Sequence, residues 1–231
     1  MYVYGKNVVN EILKDNTPIK KVFLSDNFSD KDILNKLRSL NTNTKYCKPY
    51  ELDKIVDGNH QGIVLEVSDY QYFDIDDLLV NENPLIVILD HLEDPHNFGA
   101  IIRTCEAAGV DGIIIPKNRS VDVNSTVMKT STGALNHVKI CQVTNLKNTM
   151  DYLKKKGFWI VGTDMDGTDY TQVDYKGKMA IITGSEGFGM SRLVKDNCDF
   201  IASIPMYGEV NSLNASVATA IIIYEAIKQR R

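Results

Sequence analysis

Five short runs of residues, at 85–89, 112–115, 158–161, 179–182 and 200–204, are mostly apolar on both faces. A strand with one wet face alternates apolar and polar residues. A strand covered on both faces does not, and that is how buried parallel strands read. Helix-period segments lie between these runs, at 99–108, 146–156, 190–196 and 213–229. Strand and helix in alternation predict an open α/β sheet, with ligands held at the carboxyl ends of the strands. This unit starts at Pro84 and takes up residues 84–231.

The first 70 residues form a smaller α/β unit with its own apolar set. Helical spacing covers 7–13, and Lys21-Val-Phe-Leu24 is a short apolar strand. Ile33, Leu34, Leu37 and Leu40 repeat with helical period. Pro49 opens a helix through Ile55 and Val56, which Gly58-Asn59 stops, and residues 62–67 are a strand. Residues 71–83 are acidic and aromatic without a clean period, and read as a linker with at most one helical turn at 75–80.

Composition excludes several classes. With 43% hydrophobic and 24% charged residues, the chain is neither disordered nor a membrane protein by content. No apolar run is long enough to span a bilayer, and the N-terminus lacks a basic-then-apolar signal. Cys47, Cys105, Cys141 and Cys198 are widely spaced and form no C-x-x-C pair, which argues for a reducing, cytoplasmic compartment without zinc. Asp90, His91, Asp94 and His96 match no ligand pattern, so no metal is expected. The formal net charge of −4 does not advertise a nucleic-acid binder, but charge distribution matters more than its sum.

Three segments place polar residues just after a strand. Asn97 and Arg103 follow the first run, at N-x-G-x-x-x-R spacing. Gly184, Glu186, Gly187 and Gly189 follow the fourth, in a G-x-x-G-x-G spacing that is neither a dinucleotide fingerprint nor a P-loop. Ile204-Pro-Met206 leads into Asn211, Ser212, Leu213, Asn214 and Ser216 ahead of the last helix. Arg103 sits early in a helix, where the dipole disfavours a cation. Such an arginine wants an anion, either Glu93, Asp94 or Glu106 within the chain, or a phosphate of a ligand. Asn97 is a helix N-cap, a residue that orients Arg103, or both.

Together the three segments resemble the signature motifs of the SpoU (TrmH) family of RNA 2'-O-ribose methyltransferases, within the SPOUT class. The resemblance implies a deep trefoil knot in the C-terminal domain, a homodimer, and S-adenosylmethionine as methyl donor. It places Asn97, Arg103, Glu186, Ser212 and Asn214 at the catalytic centre, and Gly184, Ile204, Met206 and Leu213 around the donor. The first unit resembles the L30e-like substrate-binding domain of one subgroup, through Gly5-Lys-Asn-Val-Val-Asn-Glu11 and His60-Gln-Gly-Ile-Val64. That subgroup implies a guanosine of 23S rRNA as target, with transfer RNA as runner-up. Lys117, Arg119 and Lys129 are then phosphate contacts, which position RNA without reading its sequence. A non-catalytic RNA-binding or ribosome assembly factor on the same fold is the reading from another class.

The family assigns the role of base to the first-motif arginine. A guanidinium holds its proton tightly. A second reading therefore keeps Arg103 charged, against a phosphate and the developing alkoxide, and sends the proton out through Glu186, Ser212 or water.

Overall fold

The computed structural model describes residues 1–14 and 17–231. They form two compact units, 1–71 with 123–133, and 72–122 with 134–231.

The first unit begins with a strand that sequence reading does not anticipate, β1 (Tyr2–Tyr4). There follow α1 (Lys6–Lys14), β2 (Ile19–Ser25), α2 (Lys31–Ser39), β3 (Thr44–Cys47), α3 (Pro49–Leu52) and β4 (Ile63–Val67). The helix expected from Pro49 to Val56 is a single turn. Ile55 and Val56 bond back to the Leu52 carbonyl in a turn instead. The sheet order is β1-β4-β2-β3, with β2 and β3 parallel and the other pairs antiparallel.

Alternation along β4 decides which side chain goes where. Ile63, Leu65 and Val67 join Val8, Val9, Ile12 and Ile33 in one core cluster, whereas Val64 joins Leu52 and Val56 in another. Asp30 caps α2 by accepting from the Ile33 amide.

In the second unit a 3-10 turn at Ile75–Leu78 buries Leu78, and Phe73 bridges to Cys141. Part of the segment read as a linker is thus packed structure. The chain continues through β5 (Leu85–Asp90), α4 (Pro95–Ala108) and β6 (Gly112–Pro116) to α5 (Ser125–Ser131), which belongs to the first unit. It then forms β7 (Ile140–Val143), α6 (Leu146–Lys155), β8 (Trp159–Asp169), β9 (Met179–Gly184), α7 (Arg192–Lys195), β10 (Phe200–Ser203) and α8 (Ala215–Arg230). Gly109 ends α4 in the left-handed conformation that its sequence position predicts.

The sheet is entirely parallel, in the order β10-β8-β9-β5-β6-β7. Every residue of β5 and β9 is buried, as the doubly apolar runs require. On one face of the sheet, α6 contributes Leu146, Met150 and Leu153 to a core with Ile86, Ile88 and Ile182. Elsewhere α4 packs on α8, and α8 on β9. The early strand β5 and the late strand β9 end up as central neighbours, with Asp90 opposite Gly184. The connections leave this pair in opposite senses, which makes its carboxyl end the topological switch point of the sheet, where open α/β folds bind ligands. No helix among the described residues is long and apolar enough to cross a membrane.

Candidate active site

Two of the polar segments start side by side because β5 and β9 are in register to their last residues. The first enters α4, where Pro95 takes the opening position and Asp94 is the N-cap, its carboxylate accepting the His96 amide at 2.9 Å. The capping role weighed for Asn97 therefore falls to Asp94. Asn97 lies further in, buried, with its amide free to act across the chain.

That amide joins all three segments. Asn97 Nδ2 donates to Glu186 Oε1, and Asn97 Oδ1 accepts from Asn214 Nδ2 at 3.0 Å. Asn214 in turn caps α8, accepting the Ser216 amide at 3.0 Å. The two contacts on Asn97 span 89 and 117 residues of sequence. Only one orientation of the amide serves both, since the carboxylate needs a donor. Buried Thr219 adds a further tie between α8 and β9, donating to Thr183 at 3.0 Å.

The glycine segment closes on itself. Ser185 and Gly189 exchange both backbone hydrogen bonds, at 3.1 and 3.0 Å, so Glu186, Gly187 and Phe188 form the tip of a tight hairpin. Gly187 and Gly189 hold φ of +83° and +67°, the left-handed region open to glycine. Gly184 is needed for another reason. A Cβ there would meet the Gly189 carbonyl carbon at 2.1 Å and the Met190 nitrogen at 2.2 Å.

Beneath the hairpin lies a cavity of roughly 640 Å³, of the size that holds a small cofactor. The four residues expected around a donor, Gly184, Ile204, Met206 and Leu213, all line it. So do Glu186, Ser212 and Asn214.

Sequence reading misses one wall, formed by Thr163, Asp164 and Met165. These lie on the second half of β8, whose polar sequence hides the fact that the strand continues past Val161. Asp164 pairs with Lys195 at 2.9 Å. Burial acts to raise its carboxyl pKa, but Lys195 and the Asp166 and Met165 amides outweigh burial and hold it below the usual value. The lining contains the carboxylates of Asp164 and Glu186 and no lysine, arginine or histidine among the described residues.

Arg103 is not part of this convergence. It lies six residues after Asn97 in α4, about 9 Å further along the axis and roughly 240° around it. It is exposed and makes no ion pair among the described residues, so the partners considered for it, Glu93, Asp94 and Glu106, do not hold it. Lys117, Arg119 and Lys129 are likewise exposed. The first two follow β6, and Lys129 lies on α5 in the first unit. No group of three or more His, Cys, Asp or Glu residues suited to a metal occurs among the described residues.

Comparison with known proteins fits this geometry. Residues 84–224 match the profile of the SpoU rRNA Methylase family, and residues 2–73 match that of an RNA 2'-O ribose methyltransferase substrate-binding domain. YacO of Bacillus subtilis (strain 168), assigned to the TrmH tRNA/rRNA methyltransferase family, is 42% identical over 99% of this chain and 96% of its own. A Staphylococcus aureus (strain COL) protein with the same family assignment is also 42% identical, over 99% and 96%. Among solved structures, the SpoU methyltransferase AviRb from Streptomyces viridochromogenes, in complex with the cofactor AdoMet, superposes with a TM-score of 0.87. Its identity is 26%, and the match covers 99% of this chain and 89% of AviRb. AdoMet-bound rRNA methyltransferase from Sinorhizobium meliloti gives a TM-score of 0.80 at 25% identity, over 98% and 86%. An α/β chain with this parallel sheet, this substrate-binding domain and these relatives belongs to the SpoU rRNA methylase family, and is an RNA methyltransferase.

Proposed function

We propose that this chain moves a methyl group from S-adenosylmethionine to a ribose 2'-hydroxyl of RNA, on a guanosine of 23S rRNA. The observation that carries the reading is the bonding of Asn97 to both Glu186 and Asn214, beside a cavity that two of the three also line. The residues present fit the donor. Ile204, Met206 and Leu213 offer an apolar slot with main-chain groups for a purine. Gly184 lets backbone approach closely, and a lining with two carboxylates and no cation suits a positively charged ligand. When bound, the donor supplies an electrophilic methyl on a sulfonium.

The rest is the work of this chain's residues. Glu186 is held by the Asn97 amide, and Ser212 and Asn214 line the same cavity; Ser212 and Asn214 orient the ribose hydroxyl, and its proton passes to the Glu186 carboxylate. Arg103 stays charged. Its exposed guanidinium lies outside the Asn97–Glu186–Asn214 cluster and binds a backbone phosphate of the RNA. Lys117, Arg119 and Lys129 bind further phosphates. A homodimer is part of the proposal. Val217 and Tyr224, exposed at 47% and 52%, lie seven residues apart on one face of α8 and offer a second copy an apolar stripe.

The deciding experiment incubates the protein with labelled S-adenosylmethionine and either 23S rRNA or transfer RNA transcripts, then maps ribose methylation. One methylated guanosine in 23S rRNA is expected. Label in transfer RNA alone would move the target. No label in either, together with no donor binding by calorimetry, would leave an assembly factor. Arg103→Lys addresses the arginine: a charged phosphate ligand keeps substantial turnover with lysine in its place.

A further inference from the structure

Asp90 is a buried charge that the methyl transfer described above does not use. It ends β5 with 1% of its surface exposed, and no lysine or arginine pairs with it among the described residues. A carboxylate in such a place needs strong hydrogen bonds. Asp90 has two. Its Oδ2 accepts the Ser191 amide at 2.6 Å, across 101 residues of sequence, and its Oδ1 meets His91 Nδ1. His91 holds a φ of +57° there, an unfavourable backbone for a residue with a Cβ. The ring folds back onto the carboxylate rather than pointing away.

Both contacts concern the hairpin that carries Glu186. Ser191 stands two residues beyond Gly189, where the hairpin closes, and opens α7. Asp90 lies in register with Gly184, where the hairpin begins. The carboxylate therefore clamps the far end of the hairpin to the strand beside its near end. Asn97 joins the same two loops on the ligand side through Glu186. With one tie, the hairpin is free to pivot about it. With two, the position of Glu186 is fixed.

We infer that Asp90 is a positioning residue for methyl transfer, whose buried carboxylate locks the 185–189 hairpin through the Ser191 amide and so sets Glu186 against Asn97. This rests on the function proposed above. The role is to hold geometry: no proton or electron passes through Asp90.

Three variants test it: Asp90→Ala, Asp90→Asn and Ser191→Pro. Asp90→Asn keeps an oxygen for the Ser191 amide. Ser191→Pro removes that amide alone, at a φ of −60° that proline adopts without strain. The readouts are kcat and KM for methyl transfer to RNA, donor affinity by calorimetry, and thermal midpoint. Asp90→Ala and Ser191→Pro should each lower kcat about 100-fold, as expected for a displacement of about 1 Å in a reacting group, with KM for RNA within about twofold. Asp90→Asn should recover most of kcat. The double variant Asp90→Ala/Ser191→Pro should be no slower than either single one, because both break the same contact. Folded Asp90→Ala or Ser191→Pro protein with wild-type kcat would overturn the inference. So would multiplicative losses in the double variant. Wild-type protein that neither binds the donor nor methylates RNA would instead count against the proposed function.

Discussion

Replacing Gly184 with alanine adds one methyl group at the base of the hairpin, and the structure sets the size of the effect. The new Cβ would lie 2.1, 2.2 and 2.4 Å from backbone atoms of Gly189 and Met190. Ordinary contact begins at 3.4 Å, so the hairpin has to retreat by about 1.3 Å, the difference between 3.4 and 2.1. Backbone cannot step aside as a flexible side chain can. Overpacking of this kind costs about 1–3 kcal/mol, and for a unit of this size that lowers the thermal midpoint by roughly 3–9 °C. The same retreat carries Glu186 away from Asn97 and deforms a wall of the cavity. A displacement of about 1 Å costs on the order of 100-fold in rate, or about 2.7 kcal/mol of barrier. Single-turnover methyl transfer and calorimetric donor binding read both effects. Gly187→Ala is the control: it sits at φ +83° with nothing within 4 Å of its added carbon. The left-handed backbone costs it about 1 kcal/mol, and the cavity stays in place, so donor affinity should fall by less than about fivefold. Gly184→Ala protein with affinity and rate within about twofold of wild type would refute the steric reasoning.

Other outcomes follow from single contacts. Asn214→Ala removes the cap of α8, worth about 1 kcal/mol in urea unfolding, and also the bond to Asn97, so turnover should fall much further than stability. Arg103→Ala should shift unfolding free energy by less than about 0.5 kcal/mol, because the side chain is exposed and makes no ion pair among the described residues. It should reduce the salt dependence of RNA binding by about one phosphate contact, measured as the slope of log affinity against log salt. Burial pushes the Cys141 thiol up to about 11 and the Cys198 thiol up to about 12. Raised thiol values contribute stability that is intact below the unfolded value of 9.0 and is lost as pH rises through the folded ones. Cys198→Ala should therefore show a shallower loss of stability above pH 9 than wild type in pH-dependent urea melts. Iodoacetamide at pH 8 should label these two thiols only as the protein unfolds, read by mass spectrometry.

The strands that position the site are legible because burial on two faces leaves a plain mark. β5, β6 and β9 appear in the sequence as unbroken apolar runs. β7 escapes notice because Ile-Cys-Gln-Val is four residues long and lies at the sheet edge, with a polar residue in the third place. The second half of β8 is hidden because its polar residues face a cavity and solvent and carry no apolar rhythm. α5 is hidden because Ser-Thr-Val-Met-Lys-Thr-Ser has weak helical propensity; its start depends on Asn124, whose side chain accepts the Thr126 and Val127 amides. The polar residues after the strands are visible, but the direction of each side chain is not. A shift of three residues in the cap of α4, from Asn97 to Asp94, decides whether Asn97 caps the helix or reaches Glu186.

The contacts that make the site work are hidden for a deeper reason. Asp90 meets Ser191, and Asn97 meets Glu186 and Asn214, over sequence separations of 101, 89 and 117 residues. No local rule of spacing or propensity bears on such pairs. They exist because β5 and β9, with β6, β7 and β8 between them in the chain, return to lie side by side in register. Once that one adjacency is known, the rest is nearly forced. Two strands that end level must start their loops level, which brings buried Asp90 and Asn97 within hydrogen-bonding reach of polar groups on the facing loops. Asp90 reads in sequence as the ordinary polar end of an apolar run. In the fold it is a buried carboxylate with a partner from the opposite loop, and the strand order converts the one into the other.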